Sequence, residues 1–63
     1  MNNIDLWLFT YRDSMNRKKH MAVFEPQKEE ALRQFISNRE PTDRLVEETP
    51  MTKEAYNHWK KQL

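Results

Sequence analysis

The stretch Ile4-Asp5-Leu6-Trp7-Leu8-Phe9-Thr10-Tyr11 decides the fold. Its leucines, aromatics and branched residues favour a strand, with Ile4, Leu6 and Leu8 on one face and Trp7, Phe9 and Tyr11 on the other. A helix is the alternative, because Ile4, Trp7, Leu8, Tyr11 and Met15 also follow helical spacing and Asn3 could cap it. A strand makes the chain α+β, and a helix would make it all-α.

Downstream, His20-Met21-Ala22-Val23-Phe24 is a second strand by the same criteria, and the polar run Arg12 to Lys19 between the two reads as a hairpin loop. The chain has no glycine. Asp13 or Asn16 therefore has to supply the left-handed residue of the turn. Three prolines, each of which pushes the residue before it out of helical geometry, divide the rest of the chain. Pro26 fits the first position of a helix running to Asn38, with Glu29 and Glu30 opposing its dipole and Ala31, Leu32, Phe35 and Ile36 forming one face. Glu29 and Arg33 stand four apart in the favourable order. Glu40 to Thr49 has only Leu45-Val46 as apolar content, enough for a short third strand or an extended linker. Thr49 and Pro50 then open a last helix whose stripe is Met51, Ala55, Trp59 and Leu63, widened by Tyr56, with Lys60 and Lys61 in its final turn. The expectation is one small α+β domain over residues 1–63. It has the order ββαβα, both helices on one face of the sheet, and strand order 2-1-3 from a right-handed crossover.

Composition excludes several functions. Without glycine there is no phosphate-cradling loop, dinucleotide fingerprint or nucleophile elbow. Without cysteine there is no disulfide framework or thiolate zinc site, which favours a cytoplasmic protein. The longest apolar run, Leu6 to Phe9, is far short of the roughly 20 residues of a membrane span, and no basic stretch precedes it as in a signal peptide. In a 63-residue chain nearly every large apolar side chain is needed for the core.

A first strand that is apolar on both faces points to a partner, either a second copy or another macromolecule, unless the terminal helix covers part of each face. Charge is uneven. Residues 11–21 carry Arg12, Arg17, Lys18 and Lys19 against Asp13, a net of +3, and residues 25–48 carry seven acids against four bases, a net of −3. Trp7, Phe9, Tyr11, Arg17, Lys18 and Lys19 are the candidate partner-binding residues, since aromatics and arginine dominate interface energy. The expected partner is a protein or a second copy of the chain. A nucleic acid is the alternative, with aromatics stacking bases and cations holding phosphate.

Catalysis is not expected. Asp13, Ser14 and His20 are the residue types of a hydrolase triad, but they crowd one hairpin without an oxyanion hole. Glu54 and His58 share a helical face, but two ligands make a weak metal site. No cofactor, metal, membrane or small-molecule substrate is expected.

The opening Met1-Asn2-Asn3-Ile4-Asp5, the short length and the helix Lys28-Glu29-Glu30-Ala31-Leu32-Arg33-Gln34-Phe35 resemble the small early-region accessory proteins of temperate, lambdoid-type bacteriophages. The resemblance implies action without catalysis, by binding host or phage factors that bias lysis against lysogeny. It assigns no residue.

Overall fold

The computed structural model describes residues 3–62. The first stretch is a strand, β1 (Leu6–Arg12), and the second is β2 (Lys18–Val23), two residues longer at its start than the apolar run and ending one residue before Phe24. The helix α1 (Lys28–Asn38), the strand β3 (Arg44–Met51) and the helix α2 (Lys53–Lys60) follow, so the chain is α+β in the order ββαβα. The sheet runs β2-β1-β3, with both outer strands antiparallel to the central one. β2 and β3 are therefore parallel to each other, and α1 is the crossover that joins them past β1.

The hairpin is closed without glycine. Asn16 takes φ 61°, the left-handed value a three-residue loop requires. Asp13 holds the turn from inside: one carboxylate oxygen accepts the backbone N–H groups of Met15 at 2.9 Å and Arg17 at 2.8 Å, and the other accepts Arg17 Nε at 2.8 Å. Lys19 Nζ lies 3.5 Å from the same carboxylate. These donors, led by the Arg17 N–H, bring the Asp13 pKa down from 3.8 to about 2, against the opposing effect of desolvation.

α1 begins two residues later than the proline suggested. The Pro26 carbonyl, which would have opened the helix, accepts the Trp7 indole N–H at 3.0 Å, and Gln27 becomes the cap. Arg33 pairs with Glu30 at 2.8 Å, three residues away, rather than with Glu29. Lys28 ties the start of the helix to the sheet, 3.0 Å from Glu48 and 5.6 Å above the Trp7 ring.

The largest departures are in the last third. Pro50 does not end a segment but lies within β3, which is longer than its two apolar residues implied. An edge strand tolerates proline because one side of it needs no N–H. α2 accordingly starts at a Thr52 cap, whose hydroxyl accepts the Ala55 N–H at 3.1 Å, rather than at Thr49. Asp5 fixes this corner by donating its N–H to the Met51 carbonyl at 3.0 Å and accepting the Lys53 N–H at 2.9 Å. A bulge interrupts β3: Thr10 stands opposite Glu47, but Tyr11 stands opposite Leu45, leaving Val46 as the extra residue.

The helices do not share a face. Phe9, Val23, Ala31 and Phe35 form the core between α1 and one side of the sheet, with Trp7, Tyr11, Met21, Leu32 and Leu45 packed around them. On the opposite side Leu6 and Leu8 are buried too, in line with Thr10, His20 and Ala22, and α2 crosses there from β3 until Trp59 meets His20. Two apolar faces on β1 need two covers, which one layer of helices would not supply. The half-buried residues of α2 are Tyr56 and Trp59, while Ala55 is exposed, Met51 belongs to β3 and Leu63 lies outside the described residues. No helix among the described residues is long and apolar enough to cross a membrane.

Candidate functional site: a basic groove between β2 and α2

The six residues picked from sequence separate in space. Phe9 is fully buried and stacks on Phe35 with ring centroids 4.8 Å apart. Tyr11 meets Phe35 edge-on at 5.4 Å, and Trp7 is half-buried with its indole N–H spent on Pro26. The aromatic face expected to await a partner is thus the core beneath α1, because a chain this small needs those rings internally. Arg17 is engaged by Asp13. Of the six, Tyr11, Lys18 and Lys19 line an open groove.

That groove, about 460 Å³, runs between β2 and α2. Leu8 and Ala22 lie at its base, Tyr56 and Trp59 form the helical wall, Lys18 and Lys60 supply cations, and Lys19, which also lines it, is paired with Asp13. Its rings make a ladder. Phe24 meets Tyr56 edge-on at 5.5 Å, Tyr56 stacks on Trp59 at 5.8 Å, and Trp59 meets His20 edge-on at 4.9 Å. Lys60 Nζ sits 5.4 Å over the Tyr56 ring. Phe24 remains 53% exposed, and Ile36 on α1 is similarly open at 51%.

Beyond the end of α2 the sheet continues as a charged shelf. Arg12 stands directly opposite Lys18 on one side and Arg44 on the other, so three cations occupy one row across all three strands. Like charges facing each other across strands destabilise a sheet. Ion pairs among the described residues engage Arg17, Lys19, Lys28 and Arg33, and none engages a member of this row. Arg12 spends one N–H on the Asn16 carbonyl at 3.1 Å, which anchors it without neutralising it. The next row inward holds His20, Thr10 and Glu47, with His20 Nδ1 3.1 Å from the Thr10 hydroxyl.

The candidate catalytic types are not brought together. Asp13 is committed to the hairpin backbone, Ser14 is exposed in the loop, and His20 is bonded to Thr10. His58 Nε2 contacts Gln62, just past the end of α2, at 3.0 Å. Sequence reasoning missed Phe24, Tyr56, Trp59, Lys60 and Arg44. The available signal was the second apolar face of β1, whose cover had to be the only other amphipathic segment. No protein family, curated protein or solved structure matches this chain.

Proposed function

We propose that the protein is a non-enzymatic binding module that holds a polyanionic partner in the groove between β2 and α2. The observation that carries this reading is the row Lys18–Arg12–Arg44 running into a groove rimmed by Lys60. The fold bears the repulsion of that row, and an anion would relieve it. The side chains gathered here are mostly cations and aromatics, which suit binding, and the imidazole among them, His20, is bonded to the Thr10 hydroxyl. A regulatory, phage-encoded role in the cytoplasm belongs to the same proposal and rests on the resemblance of the sequence and its lack of cysteine.

Retention on immobilised heparin tests it. The variant Lys18→Gln should elute at clearly lower salt than the parent, while Lys53→Gln, which removes the same charge at the far end of α2, should elute close to it. Equal shifts for the two variants would mean that net charge alone governs retention, and would defeat the groove.

A further inference from the structure

We infer that the occupant of the groove is a single-stranded nucleic acid, its bases stacking against the ladder of Tyr56 and Trp59 and its phosphates lying on the row Lys18–Arg12–Arg44. The inference rests on the binding reading above and names its ligand. Two independent features meet at this site. Neighbouring strands are about 4.8 Å apart, so the three cations form a line of closely spaced positive charge rather than a point site. A line of this kind fits a chain that carries a charge on every unit. The rings are the second feature. Tyr56 and Trp59 lie 22° from coplanar with centroids 5.8 Å apart, a stacked pair that a flat base extends.

Other polyanions use only half of this surface. An acidic peptide satisfies the cations but offers the rings no flat partner. A duplex presents phosphates but keeps its base faces inside the stack, out of reach of Tyr56 and Trp59. The charge distribution also sets the approach. The segment 25–48 is acidic overall, but α1 within it, on the opposite side of the sheet, balances Glu29 and Glu30 against Lys28 and Arg33, so it draws a polyanion less than the cationic row does. Glu47 is the acid of that segment that shares the groove face, one row in from the cations, and it limits how far a backbone phosphate can advance toward α2.

The experiment is a fluorescence titration of a Trp7→Phe variant, in which Trp59 is the sole indole, with short oligothymidylate and oligouridylate, a mixed-sequence duplex of equal length, and polyglutamate. The inference expects the single strands to quench Trp59 emission by at least half. Their log affinity should fall with log salt at a slope of about −2 to −3, from three or four phosphate contacts at roughly −0.7 each. Lys18→Gln and Arg44→Gln, both exposed, should each flatten that slope by about 0.7 and weaken binding several-fold. Circular dichroism confirms that each variant is folded. Binding of the duplex as tight as that of the single strands, or binding of polyglutamate matching the oligonucleotides without quenching of Trp59, overturns the inference and leaves a groove for polyanions in general. Failure of every polyanion to bind at low salt overturns the binding reading itself.

Discussion

The two faces of the sheet are covered by helices of opposite character. α1 contributes Ala31 and Phe35, both essentially without exposed surface, to a closed core, and is tied to the sheet by Lys28. α2 contributes no fully buried residue and rests on the sheet through Tyr56 and Trp59, each half exposed. One helix is there to hold the fold, and the other leaves its rings partly in water. In a chain this close to the lower limit for a single core, ring surface left in solvent is a cost to stability that binding can offset.

The sharpest way to break this comparison is to truncate one anchor on each side. Phe35→Ala should cost about 3–5 kcal/mol by urea denaturation, enough to unfold most of the population. Trp59→Ala should cost distinctly less, about 1–2 kcal/mol, because only part of the indole is removed from water. Equal losses would mean that α2 is as much a core helix as α1.

Acid tests the hairpin that carries the cations to the groove. Because its pKa is lowered from 3.8 to about 2 on folding, Asp13 contributes fully above pH 3.8, and its contribution fades as the pH falls through about 2. The parent should lose stability across that window. Asp13→Asn should be less stable at neutral pH and flatter through the same range, as read from melting temperature against pH.

Smaller effects come next. Thr52→Ala removes the cap of α2 and should cost about 1 kcal/mol. Arg44→Gln should do the reverse at low salt, stabilising by roughly 0.2–1 kcal/mol through relief of the facing charges, with the gain vanishing as salt is added. Stabilisation on losing a charged residue would identify the row as kept for something other than stability.

Much of the fold was legible because it rests on local pattern. The aliphatic and aromatic run from Leu6 to Tyr11, the polar loop with Asn16 in place of glycine, and the amphipathic run through Ala31 and Phe35 each announce an element, and their order gives the sheet topology. The errors came where a residue's meaning depends on a distant neighbour. Pro50 reads as a breaker until β3 is known to be an edge strand, and Pro26 reads as a helix start until Trp7 takes its carbonyl. The groove was illegible for the same reason. Trp7, Phe9 and Tyr11 and the pair Tyr56 and Trp59 are equally aromatic, and only the side of the sheet on which each helix lands decides which set remains open.

The extra residue in β3 has a consequence for evolution. In an uninterrupted ladder Val46 would stand opposite Tyr11 and Leu45 opposite Arg12, and Arg44 would turn to the other side of the sheet. Either leucine or valine can fill the seat beside Tyr11, with a difference of about one methylene, roughly 0.8 kcal/mol. The two alignments are thus close rivals for the core and far apart for charge. Loss of the Val46 codon would remove the bulge and leave Arg44 opposite Arg12, whereas closing the bulge in the unchanged sequence would keep a foldable domain and move that arginine off the groove face.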